Sequence, residues 1–176
     1  MYFPHNEQHP EWVLPLVAVV RSARDAISTE EPGTKATSDG VLKEIAPGLQ
    51  ALGFRVETSK AHDEKVARPV LFGENGAASV TYEVDGVHDG LGVVLEVEAG
   101  RGAQNNAAYR DIIRASLIVN ANHLALLMPL VYRFGGREGG RPSQVAAYDD
   151  ARHMLDAIYA SRRLTLPFQG VLLVGY

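Results

Sequence analysis

Two short apolar runs, His123-Leu-Ala-Leu-Leu-Met and Gly170-Val-Leu-Leu-Val-Gly, constrain this chain more than any other feature. Neither offers a wet face. A strand built from such a run needs cover above and below, and helices supply that cover where the intervening segments carry helical periodicity. Those segments do. Trp12, Val13, Leu16, Val17 and Val20 recur at helical spacing between Pro10 and about Ile27, before Ser28-Thr-Glu-Glu-Pro-Gly breaks the pattern. A second helix, capped by Ser38 or Asp39, carries Val41, Leu42, Ile45, Leu49 and Leu52 until Gly53 ends it, with a kink predicted at Pro47. A third spans about Asn105 to Ala121 (Ala108, Ile112, Ile113, Leu117), and a last one about Ser143 to Ser161. Phe54 to Thr58 and Pro69 to Phe72 read as short strands on either side of a polar loop. Ala78 to Val87 and Leu91 to Ala99 read as longer strands, paired antiparallel through His88-Asp89-Gly90. The predicted fold class is α/β, a mixed central sheet flanked by helices.

At 176 residues the chain fits one domain, with a core from roughly 38 to 131 and a C-terminal helix and strand over 143–176. Such a length buries enough surface to fold without disulfides or a structural metal. There is no cysteine, which excludes thiol catalysis, iron–sulfur clusters and Cys-ligated zinc. With 46% apolar and 22% charged residues the chain is too hydrophobic for disorder, and it has no long uncharged apolar run. The first ten residues carry no basic stretch or apolar core of a secretory signal, so the expectation is a cytoplasmic protein without a membrane partner. Charge is uneven. Residues 1–99 hold 8 basic and 16 acidic side chains, whereas residues 100–176 hold 9 arginines, no lysine and 5 acids. Arginine suits two-pronged bonding to phosphate or carboxylate, although a GC-rich genome produces the same bias.

The chemistry concentrates in Tyr82-Glu-Val-Asp-Gly-Val-His-Asp-Gly-Leu-Gly-Val-Val-Leu-Glu-Val-Glu. Side chains two apart on a strand share a face, so Glu96 and Glu98 project together while Leu95 and Val97 face the core. The antiparallel hairpin brings Asp85 beside Glu96. Two carboxylates about 5 Å apart repel by roughly 3 kcal/mol at an effective dielectric near 20. Such a patch needs a divalent cation, arginine neighbours or raised pKa values. An all-oxygen set of this kind suits Mg²⁺ or Mn²⁺. Acids on the wet face of an ordinary half-exposed strand are the plainer explanation. Against it stands the apolar Leu91-Gly-Val-Val-Leu, which marks the strand as central.

Asp85, a hairpin, an apolar run ending in Glu96-Val-Glu98, a helix with Tyr109-Arg-Asp-Ile-Ile-Arg and the buried strand from His123 together resemble the restriction-endonuclease-like fold. This is the PD-(D/E)XK nuclease superfamily, and the resemblance covers roughly Val41 to Met128. It implies an αβββαβ core and Mg²⁺-dependent hydrolysis of phosphodiester bonds, in DNA, by a homodimer. It also implies catalytic roles for Asp85, Glu96 and Glu98, with Asp85 and Glu96 as metal ligands and Glu98 orienting or deprotonating the attacking water. Glu44, midway along the preceding helix, is a further candidate ligand, with a solvated helix acid as its plainer role. Two positions depart from the superfamily's motif. Val84 stands where it has proline, and Glu98 replaces its usual lysine, as in some type II restriction enzymes.

Arg110 and Arg114 lie one helical turn apart and are candidates for phosphate contact, with pairing to Asp111 or surface acids as the commoner fate. Arg101, Arg137 and Arg141 complete the candidate nucleic-acid contacts. Asn105 and Asn106 read as helix caps. His5, His9, His62 and His153 are too scattered for a zinc motif, His88 reads as an inert turn residue, and Phe134-Gly-Gly-Arg-Glu-Gly-Gly-Arg lacks the ending of a P-loop. Two rival functions remain. One is a catalytically inactive nuclease-like binding or scaffolding module. The other, a metal-free glycosidase, is disfavoured because aromatics are only 7% of the chain.

Overall fold

The computed structural model describes residues 1–30, 37–57, 65–99, 107–134 and 143–176. In chain order the elements are β1 (Tyr2–Phe3), α1 (Val13–Ser22), α2 (Arg24–Ile27), α3 (Ser38–Ala51), β2 (Arg55–Val56), β3 (Val66–Phe72), β4 (Ala78–Val84), β5 (Gly86–His88), β6 (Val93–Val97) and α4 (Ala107–Ser116). They continue with β7 (His123–Met128), β8 (Tyr132–Phe134), β9 (Ser143–Val145), α5 (Ala147–Ser161) and β10 (Gly170–Gly175).

The two apolar runs are β7 and β10. Every residue of β7 is buried, as are all but the last of β10, because they lie side by side in the middle of a six-stranded sheet ordered β1-β10-β7-β6-β5-β2. β10, β7 and β6 run parallel, while β1 at one edge and β5 and β2 at the other run antiparallel to their neighbours. The sheet is mixed, as predicted.

Alternation along these strands divides the core in two. Val93, Leu95, Val97, Ala125, Leu127, Leu172 and Val174 pack against Val13, Leu16, Val41, Ile45 and Leu49 of the N-terminal helices. Val94, Leu124, Leu126, Val171 and Leu173 pack on the opposite face against Ile112 and Ala115 of α4 and Leu155 of α5. Burying such a side chain contributes roughly 1.5–3 kcal/mol, so both faces are strongly specified.

Several boundaries differ from the pattern reading, each for a local reason. The first helical stretch is split at Ala23 into α1 and α2. The cap of α3 is Thr37, whose Oγ1 accepts from the Gly40 N–H, and the helix continues through Pro47 to Ala51. Gly53, at φ +92°, closes it in a conformation that suits glycine. In the β5–β6 turn the left-handed glycine is Gly92, at φ +63°, rather than Gly90; a Cβ there would come within 2.7 Å of the Asn120 carbonyl. Residues 143–145 pair with β8, so α5 begins at Ala147.

The predicted strand from Ala78 to Val87 is two strands. β4 pairs with β3 in a separate two-stranded ribbon, and β5 alone joins the central sheet. The break falls at Asp85. Its carboxylate Oδ2 accepts the Val97 N–H at 2.6 Å, and its carbonyl accepts from the Glu57 N–H at 2.8 Å. An N–H of β6 that β4 would otherwise serve is thus satisfied by a side chain. Among the described residues, no helix is long and apolar enough to cross a membrane.

Candidate functional site

The β5–β6 register places Gly86 opposite Leu95, which sets Asp85 across from Glu96. Since Leu95 and Val97 point to the α3 side, Glu96 and Glu98 point to the other, beneath α4. Both are buried, at 8% and 6% exposure. This excludes the wet-face explanation for their alternation. Glu98 lies just past β6, anchored through its N–H to the Leu127 carbonyl, while its own carbonyl accepts the Tyr176 hydroxyl at 2.5 Å.

A fourth acid completes the group. Asp111 of α4 is 1% exposed and accepts Arg110 Nε at 2.9 Å on Oδ1 and Arg110 Nη2 at 3.3 Å on Oδ2. The same Nη2 donates to Glu98 Oε1 at 2.8 Å. Asp111 sits on the buried stripe of α4 with Ala107, Ala108, Ile112 and Ala115, whereas Ile113 and Leu117, read as core residues, are each 50% exposed. The signal was an acid at the helical spacing of the small apolar residues on either side of it.

Asp85, Glu96 and Glu98 have their pKa values raised, first by burial and then by the negative charge around them. Burial pushes Asp85 up to about 6, against the Val97 N–H that favours its charge, with Glu57, Asp111 and Asp39 adding repulsion. Glu96 is raised well above its usual range by burial and by Asp85 and Asp111, with Arg114 partly offsetting. Glu98 is pushed up to about 9 by burial and by its hydrogen bond to Asp111, against the pull of Arg110. Protonation of Glu98 is thereby favoured, in competition with the Arg110 Nη2 that donates to its Oε1. The hydrogen bond to Asp111 holds the charge on Arg110.

Glu96 alone is poorly satisfied. Its Oε1 is buried and has no hydrogen-bond partner among the described residues. A buried acceptor left so costs about 1–3 kcal/mol. Among the described residues no three His, Cys, Asp or Glu side chains form a ready metal cage. Asp85 and Glu96 nonetheless form the pair of oxygen donors that Mg²⁺ takes from a protein when water and phosphate complete its shell.

The other candidates are placed as follows. Glu44 is exposed on α3, which packs on the face of the sheet opposite Glu96, so the fold does not bring it to the acids. The reason is periodicity, because Val41, Leu42, Ile45 and Leu49 claim the buried stripe. Arg114 stacks over the Tyr82 ring at 5.2 Å and donates to the Glu83 carbonyl at 3.1 Å, near enough to Glu96 to favour its charge. Arg101, Arg137, Arg141, Asn105, Asn106 and His62 lie outside the described residues. His88 packs edge-on against Phe54, and His5 pairs with Asp156. Comparison with family models, curated proteins and solved structures finds no match for this chain.

Proposed function

We propose that the chain is a Mg²⁺-dependent nuclease of restriction-endonuclease-like fold, hydrolysing phosphodiester bonds in DNA. The observation that carries this reading is the buried Glu96 Oε1, which has no hydrogen-bond partner among the described residues and belongs to the residue that the strand register sets across from Asp85. The sheet supports it. α3 is followed by β2, β5 and β6 in antiparallel succession, then by α4 and by β7 parallel to β6, which is the order of the αβββαβ core once the β3–β4 ribbon is taken as an insertion.

Asp85 and Glu96 would hold the ion, which when bound supplies Lewis-acid stabilisation of the phosphate charge and an acidified water. The chain's own groups divide the remaining work. Asp85 is fixed through Oδ2 by the Val97 N–H, which leaves Oδ1 as the oxygen it would offer the ion. Glu98, tied to Arg110 through Oε1, would hold or deliver a proton near the reacting centre. Arg110 and Arg114 bring positive charge to the acids' rim. We further propose a homodimer, because cutting both strands of a duplex needs two such sites, and action in the cytoplasm.

The experiment is a calorimetric Mn²⁺ titration of wild type and Asp85→Ala. Binding by the wild type that the variant loses is the expected result. No binding, or equal binding by both, removes the nuclease reading. Plasmid nicking in Mg²⁺, with Glu96→Ala as the control for contaminating nuclease, then separates enzyme from remnant. The inactive binding module is the second reading, favoured by the engagement of Glu98 and Asp111 with Arg110.

A further inference from the structure

The acids also organise a guanidinium. Arg110 uses one edge of its side chain inward, Nε and Nη2 on the two oxygens of Asp111 and Nη2 again on Glu98 Oε1. The rest faces outward: the side chain is 56% exposed, and Nη1 makes no hydrogen bond among the described residues. The anchor is rigid, since the Asp111 side chain is only 2% exposed and its helix is seated through Ala107, Ala108 and Ala115. A side chain as mobile as arginine ordinarily loses rotamer freedom when it grips a ligand. Here that freedom is already spent on Asp111, and Nη1 keeps two N–H donors turned outward for an oxyanion.

We propose that Asp111 is a positioning residue that acts through Arg110, presenting the outer edge of the guanidinium to an oxyanion of the phosphodiester class. The identity of that oxyanion rests on the nuclease reading; the presentation itself does not. Asp111 does not touch the ligand. Its effect is to make Arg110 a preformed contact instead of one ordered at binding.

The test uses the full chain and two probes, a fluorescently labelled DNA duplex followed by anisotropy in EDTA, and inorganic pyrophosphate followed by ³¹P NMR. Arg110→Ala is expected to weaken binding of both probes about tenfold. Asp111→Asn, which keeps the shape and removes the charge, is expected to weaken them similarly. The double variant is then no weaker than Arg110→Ala alone, because both changes remove one contact. A purely structural Asp111 would instead lower the melting temperature and leave the two effects multiplicative. If Asp111→Asn melts early, Arg110→Lys carries the test, since it keeps the charge and loses the two-pronged grip on Asp111; affinity retained there overturns the proposal. Wild-type affinity in Asp111→Asn, multiplying effects, or neither probe binding the wild type would also overturn it. The nuclease reading is judged separately by Mn²⁺ binding, so either can fail while the other stands.

Discussion

Replacing Asp85 by asparagine tests the crowding of the acids most directly, because asparagine is nearly isosteric and its Oδ1 can still accept the Val97 N–H. The carboxyl's pKa rises from 3.8 to about 6 in the folded chain. A raised acid pKa means that the folded state binds the proton more tightly than the unfolded one. The group is therefore harmless to stability below about pH 3.8, weakens the fold progressively as pH climbs through 6, and exerts its full penalty above that. The penalty is about 3 kcal/mol at 1.36 kcal/mol per pKa unit. Asp85→Asn should thus stabilise the metal-free protein by roughly 2–3 kcal/mol at pH 8, a rise in melting temperature of roughly 5–10 °C for a chain of this size. At pH 4 the two proteins should melt together. Calorimetric melts in EDTA across that range measure the difference. Adding Mn²⁺ should close the gap at pH 8, because a ligand at a hundred times its Kd stabilises only the protein that binds it, by about 2.7 kcal/mol. A variant less stable than wild type at pH 8, or a difference that ignores pH, would refute the account of mutually repelling carboxyls.

Glu96→Gln should likewise raise metal-free stability at pH 8, since an amide leaves no charge to be held in the buried site beside Asp85; chemical denaturation gives the sign. Tyr176→Phe, which leaves the Glu98 carbonyl without its hydroxyl donor, should cost about 1 kcal/mol by the same method. Leu95→Ala, at a fully buried position between β6 and α3, should cost about 2–5 kcal/mol in urea melts and so serves as the scale for a true core loss. Gly92→Ala should be destabilising as well, because a Cβ would press on the Asn120 carbonyl and the backbone there is left-handed; hydrogen exchange should show the β5–β6 turn opening first.

What the sequence revealed, and what it hid, follows from how local each cause is. β6, β7 and β10 were legible because runs of apolar side chains leave a strand nowhere to go but the middle of a sheet. The approach of Asp85 to Glu96 was legible too, since a tight turn sets register. The break at Asp85 was not, because Tyr82 to Val87 keeps its alternation across it and only the long-range bond to the Val97 N–H marks the departure. The buried face of α4 was misjudged because Ile112 and Ile113 are adjacent and equally apolar. Packing against the sheet chose Ile112, and with it Asp111. Glu44 is not brought to the acids for the converse reason, lying on a helix whose apolar stripe packs on the other face of the sheet.

The ribbon of β3 and β4 leaves the main sheet at the very residue that supplies one of the acids. Pairing between β5 and β6 is set downstream of that point, and the ribbon's base is held by Arg114 on Tyr82 and by the Val119 N–H on the Pro69 carbonyl, so its outer end can change length without shifting the ladder that positions Glu96. Its far end, with Leu71 and Phe72 each more than half exposed, is thereby free to diversify. Added length there would cost the paired acids least, with Asp85 as the joint between the outer limb and the central sheet.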